Sequence, residues 1–192
     1  MKIIGFIGSP RKGGNTDELV RQILKGAQAG GGETKVYYLN DLSIRECQAC
    51  MVCKKSSEGC SQKDDMFPLY DEIRSAHGLI LGSPIYMGYM TGLMKIFLDR
   101  WYALARSPEG KQLPRGKRVV LAFPYRRPEK DLFLPVAKQV GQALKFVFGA
   151  EVASLLVEGV EHPGDVLQKR DIMEQAFQMG QDLTRPEGGS RG

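Results

Sequence analysis

The chain has 192 residues, 42% of them apolar, and a formal net charge of +5, a size that fits one domain with a sheet covered on both faces. No apolar run reaches the roughly 18 residues that span a bilayer, and Met1 to Gly8 is too short for a secretory signal, so no membrane segment is expected and the expected compartment is cytoplasmic. The positive excess clusters only locally, at Lys117-Arg118 and Arg126-Arg127, without the broad basic face of a nucleic-acid binder, and suits an anionic cofactor or an acidic protein partner.

Residues 2–8 read as a buried strand: short, apolar and ended by Gly-Ser-Pro. Residues 16–29 follow as an amphipathic helix, with Leu19, Val20, Ile23, Leu24 and Ala27 on one face. Gly30-Gly31-Gly32 ends it, and residues 34–39 form a second strand. Residues 40–63 are irregular and hold all four cysteines. Asp64-Asp65 caps a short helix through residue 76 that turns Met66, Leu69, Tyr70 and Ile73 inward. Residues 78–82 form a third buried strand, 83–91 a loop, and 92–105 a helix. A polar, Pro/Gly-marked connection, 107–116, leads to a fourth strand at 118–123. A helix over 131–148, a fifth strand at 151–157 and a last helix over 163–183 complete the domain expected over 1–183. Residues 184–192 read as a flexible tail.

Strands therefore alternate with helices five times. Such crossovers give an α/β fold with a parallel sheet and helices on both faces, and the expected strand order is the flavodoxin-like 2-1-3-4-5. Ligands of that architecture bind beyond the carboxyl ends of strands 1 and 3, so the loops after strands 1, 3 and 4 converge on one site.

The loop after strand 1 carries what a phosphate needs. Ser9 and Thr16 supply hydroxyls, Asn15 an amide, Arg11 and Lys12 positive charge, and Gly13 and Gly14 let the backbone bend close. The helix that follows directs unpaired amides at the anion. The spacing is neither that of a nucleotide-triphosphate loop nor G-x-G-x-x-G, which favours a monophosphate such as that of FMN. Gly8-Ser9-Pro10-Arg11 with Gly14-Asn15-Thr16 resembles the phosphate loop of the NADPH-dependent FMN reductase family. Ser83-Pro84-Ile85-Tyr86, Gly88 and Met94-Lys95-x-Phe97-x-Asp99-Arg100 resemble that family's second loop and helix. The resemblance implies FMN, with its ring against Pro84, Ile85, Tyr86, Met87 and Gly88. The spacing of Lys95 and Asp99 also suits a salt bridge on one helix face.

Cys47-x-x-Cys50-x-x-Cys53, followed by Cys60, puts four thiols within fourteen positions. Such a set suits an iron–sulfur cluster or zinc, and the doubled x-x spacing is typical of a [4Fe–4S] cubane. Free thiols remain the alternative. The motif, with Asp64-Asp65-Met66 after it, resembles the iron–sulfur flavoprotein branch of the same family, over about residues 1–105. That resemblance implies FMN and a [4Fe–4S] cluster exchanging electrons, a ferredoxin-like or NAD(P)H donor, a small-molecule acceptor, and a homodimer or homotetramer. The alternatives are an NAD(P)H-dependent FMN or quinone reductase without a cluster, and a zinc-stapled interaction domain. Arg45, Lys54 and Lys55 flank the cysteines, where they could offset a cluster's charge. After strand 4 the chain reads Phe123-Pro124-Tyr125-Arg126-Arg127-Pro128, which departs from the family. His77 and His162 have no evident partner in the sequence.

Overall fold

The computed structural model describes residues 1–105 and 113–185. Most of the 107–116 connection and the tail beyond 185 lie outside the described residues. The first strand, β1 (Lys2–Ile7), feeds helix α1 (Asn15–Ala29), and β2 (Glu33–Tyr38) returns beside β1. After the cysteine segment come helix α2 (Met66–Ser75) and strand β3 (Gly78–Gly82). A small hairpin, β4 (Ile85–Tyr86) and β5 (Tyr89–Met90), leads into α3 (Gly92–Arg100). Then follow β6 (Arg118–Pro124), α4 (Leu134–Phe148), β7 (Glu151–Val157) and α5 (Arg170–Asp182). The five long strands are parallel in the order β2-β1-β3-β6-β7. This is the expected 2-1-3-4-5 arrangement.

Strand side chains alternate between the sheet's faces. Ile4, Phe6, Leu79, Leu81 and Leu121 pack with Met66 and Ile73 of α2, Met94 and Phe97 of α3, and Val140 and Leu144 of α4. Ile3, Ile7, Ile80 and Val120 pack with Leu19, Val20 and Ile23 of α1 and Ala176 of α5. Apolar residues on both faces explain why these strands read as continuous apolar runs.

Three boundaries differ from the sequence reading. The helix expected over 92–105 ends at Arg100 and tightens into a 3-10 turn, Trp101–Leu104. The helix expected from 131 starts at Leu134, where Pro135 occupies the first turn without needing an N–H partner. The last helix is broken: a 3-10 turn, Asp165–Gln168, is separated from α5 by Lys169, whose ψ of 76° is not helical. The β4–β5 hairpin occupies the segment read as a loop. Its two turn residues, Met87 and Gly88, have φ of 49° and 82°, the left-handed pair that matches hairpin twist. Met-Gly is a poor advertisement for such a turn, since Asn or Asp usually holds the first position.

Candidate functional site

The loops at the carboxyl ends of β1, β3, β6 and β7 surround a cleft of about 540 Å³, a volume suited to a cofactor. Ser9, Arg11, Gly14, Asn15 and Thr16 form one wall, and Pro84, Ile85, Tyr86 and Met87 a second. Pro124, Tyr125, Arg126, Val160 and Glu161 complete it. Ser9 and Thr16 are buried, while Arg11 is exposed. The cleft lies at the N-terminal end of α1, where free amides and the helix dipole favour an anion. Loop hydroxyls beside a helix start, facing an apolar wall, fit a phosphate joined to a flat ring. The residues therefore suit FMN.

Hydroxyl side chains fix these loops to one another. Thr91 caps α3 by accepting from the Met94 amide at 3.2 Å, and its Oγ1 donates to the Gly8 carbonyl at 2.6 Å. The Thr91 amide donates to Ser83 Oγ at 3.0 Å, and the Ser83 amide to the Ala122 carbonyl. The loops after β1 and β3 are thus tied through one buried pair of hydroxyls, and a backbone bond joins the second of them to β6.

Two residues of the phosphate loop are otherwise engaged. Lys12 pairs with Asp41 at 2.6 Å and does not line the cleft; that hydrogen bond raises its pKa. Asn15 donates from Nδ2 to the His162 carbonyl at 2.9 Å and accepts the Val166 amide at 3.1 Å. It fastens the segment after β7, which carries Val160 and Glu161 into the cleft. Gly88 allows the hairpin turn rather than lining the cleft. Tyr86 is half exposed and Met87 fully exposed, so neither packs in the core.

Asp17 escaped the sequence reading. Its buried carboxylate accepts from the Gly13 amide at 2.7 Å, from Arg21 Nε at 2.8 Å and from the Tyr38 hydroxyl at 2.9 Å. It shapes the loop from behind. The visible signal was an acid in the first helical turn with Arg21 four residues on. Tyr125 is buried, packs edge-on against Phe133 at 4.9 Å and donates to the Glu129 carbonyl at 3.0 Å. Arg126 is mostly exposed and faces Glu161 at 3.5 Å across the cleft's rim. His77 accepts the Lys2 amide at 3.0 Å, a structural role. Lys95 pairs with Asp99 at 2.6 Å, as their spacing suggested.

The cysteine segment forms a second feature. Cys47, Cys50, Cys53 and Cys60 all line one small hollow of about 20 Å³, together with Arg100 and Tyr102. None is in a disulfide. Ala49 and Met51 have φ of 50° and 62°, a costly conformation for residues with side chains. These bends fold the short Cys-x-x-Cys repeats around the hollow. Cys53 is buried and joins the core, whereas Cys47 and Cys50 are exposed. Burial pushes the Cys53 thiol up, and the neighbouring cysteines add to this. A hydrogen bond with Ser61 pulls the Cys50 thiol down. Among the described residues, no group of three or more His, Cys, Asp or Glu side chains is disposed to hold a single metal ion. No helix among them is long and apolar enough to cross a membrane.

The family model for NADPH-dependent FMN reductase matches residues 1–127. An iron–sulfur flavoprotein of Methanosarcina thermophila is 36% identical over 106 residues, 55% of this chain and 55% of that protein. The matches span about half the length of the iron–sulfur flavoproteins concerned. A Bacillus subtilis protein named as an NAD(P)H-dependent FMN-containing oxidoreductase is 28% identical over 185 residues, 93% of this chain and 96% of that protein. In fold, the chain resembles an NAD(P)H:quinone oxidoreductase from Methanothermobacter marburgensis, with a TM-score of 0.70 at 17% identity and 98% coverage of both chains.

Proposed function

The chain belongs to the NADPH-dependent FMN reductase family, and we propose that it is an FMN-dependent oxidoreductase that passes electrons between FMN and a [4Fe–4S] cluster, to a small-molecule acceptor. The observation that carries the reading is the 540 Å³ cleft walled by the phosphate loop and residues 84–87. When bound, FMN supplies hydride and single-electron chemistry, and a [4Fe–4S] cluster supplies single-electron transfer.

The chain's own residues bind and orient. Ser9, Arg11 and Thr16, with the amides at the start of α1, receive the phosphate; Gly14 lets it approach. Pro84, Ile85, Tyr86 and Met87 shield one side of the ring, and Tyr125 and Arg126 border its access. Lys12 and Asn15 act indirectly, through Asp41 and the segment after β7. Cys47, Cys50, Cys53 and Cys60 are the ligands proposed for the cluster. Their support is the chemistry of four thiols around one hollow, together with the relatives named iron–sulfur flavoproteins. A ferredoxin-like protein or NAD(P)H is the proposed donor.

Anaerobically prepared protein, assayed for flavin, iron and sulfide and scanned before and after dithionite, tests the reading. One FMN with about four iron and four sulfide per chain is the expected result. Flavin without iron after cluster reconstitution would leave the second reading, an NAD(P)H-dependent FMN or quinone reductase. The near full-length match to the Bacillus subtilis oxidoreductase favours that alternative. NADPH reduction of the flavin, unchanged in C50S and C53S, would then identify it.

A further inference from the structure

The lysine nearest the cysteine segment is engaged elsewhere: Lys54 Nζ donates to the carbonyls of Tyr102 and Ala105. The cationic side chain that hydrogen-bonds a cysteine sulfur comes from the end of α3. Arg100 is 1% exposed. Its Nη1 donates to Asp64 Oδ2 at 2.6 Å and to the Arg45 carbonyl at 2.8 Å. Its Nη2 donates to Asp64 Oδ1 at 3.1 Å and to Cys60 Sγ at 3.4 Å. Asp64 is held in turn by the Arg45 and Met66 amides, at 2.9 and 3.2 Å.

A guanidinium is a rigid planar fork. With one edge clamped on a carboxylate, the remaining Nη2 hydrogen is directed at a single sulfur. Packing alone gives little reason to bury this pair, because apolar residues of similar volume often stabilise a core as well or better. Arg100 Nε also lacks a hydrogen-bond partner among the described residues. The arrangement costs stability and delivers a directed donor to Cys60.

We propose that Arg100 is the positioning residue of the cysteine centre: clamped by Asp64, it holds the Cys60 thiolate at the hollow and raises the reduction potential of the cluster bound there. This rests on the reading of the four cysteines as [4Fe–4S] ligands. The reduced cluster carries one more negative charge, shared with its sulfurs, so an N–H donor to a ligand sulfur favours reduction. Asp64 offsets much of the arginine's charge at longer range, leaving the directed bond as the effective contact. The same helix begins at Thr91, whose hydroxyl holds the Gly8 carbonyl. One element thus braces both the flavin loop and the fourth cysteine.

The test compares wild type, R100K and R100Q after anaerobic reconstitution, reading FMN and iron content, the cluster's midpoint potential and the rate of iron loss to a chelator. FMN uptake, governed by the cleft at the start of α1, which Arg100 does not line, reports that each variant folds. R100Q is expected to have a lower midpoint potential and to lose iron about 10- to 100-fold faster. R100K keeps the charge without the fork and is expected to fall between. A wild-type potential in R100Q overturns the role of Arg100 and leaves the cluster reading intact. Where R100Q takes up no FMN, R100K decides, and a wild-type potential there overturns the proposal. Wild-type protein that binds FMN but no iron overturns the cluster reading and this proposal together.

Discussion

Thr16 and Lys117 show how differently one buried polar side chain can act. Thr16 is 3% exposed and still lines the cleft. In T16V the shape is kept and the hydroxyl lost, which would remove the charge-assisted bond proposed to the phosphate. FMN affinity should weaken about 10- to 100-fold, measured by flavin fluorescence titration of apoprotein; an unchanged Kd would remove Thr16 from the site. Lys117 lies at the opposite end of the sheet. Its ammonium donates to the carbonyls of Arg74 and Ala76, and burial pushes its pKa down to about 8 from an ordinary 10.5. Below pH 8 the side chain is charged in both folded and unfolded chains, and the burial cost is fully present. Between pH 8 and 10.5 the unfolded chain binds more protons, so this contribution raises stability with pH, by at most about 3 kcal/mol. Wild type minus K117M, compared by urea unfolding at pH 7.5 and 10, should show that slope. A difference independent of pH would refute it.

At the scale of elements, α1 and α5 approach each other backbone to backbone. A Cβ at Gly26 would lie 1.9 Å from the Phe177 carbonyl oxygen, and one at Gly180 the same distance from the Ile23 carbonyl oxygen. Both obstacles are backbone, which cannot rotate away. G26A and G180A should therefore each force the helices apart and cost at least about 1–3 kcal/mol, read as a lower urea midpoint. Because α1 also presents the phosphate loop, FMN affinity should fall with stability in both variants. Neither glycine announces this in the sequence. Gly26 sits within a well-patterned amphipathic helix, where a glycine is normally a mild weakness. Only the approach of a second helix, far along the chain, makes it necessary. The elements themselves were legible, since each rests on its own apolar period and its own Gly or Pro punctuation. The β4–β5 hairpin was not, because Met87 gives no signal of the left-handed backbone it adopts.

For the whole molecule, the remaining apolar surface concerns assembly. A groove of about 730 Å³ runs between α3 and α4, lined by Leu98, Trp101, Val140, Leu144 and Val147. Val147, in that lining, is 40% exposed. We propose that the expected homodimer or homotetramer covers this face, since apolar patches of this kind mark interaction sites. Sedimentation should show an oligomer at micromolar concentration and a smaller species for V147E; a monomeric wild type would exclude the arrangement. The sequence by itself determined the alternation of strands and helices, the cleft's two principal loops and the spacing of the four cysteines. Each of these is written in local pattern, within one element or one turn. Tertiary structure alone decided which polar side chains meet across elements. It turned Lys12 to Asp41 and away from the phosphate loop's cleft. It spent Asn15 on a backbone 147 positions away. It brought Arg100 from the end of α3 to Asp64 and Cys60, 36 and 40 positions distant. A long polar side chain can satisfy itself with any partner its element reaches, and that choice is made only when the elements pack.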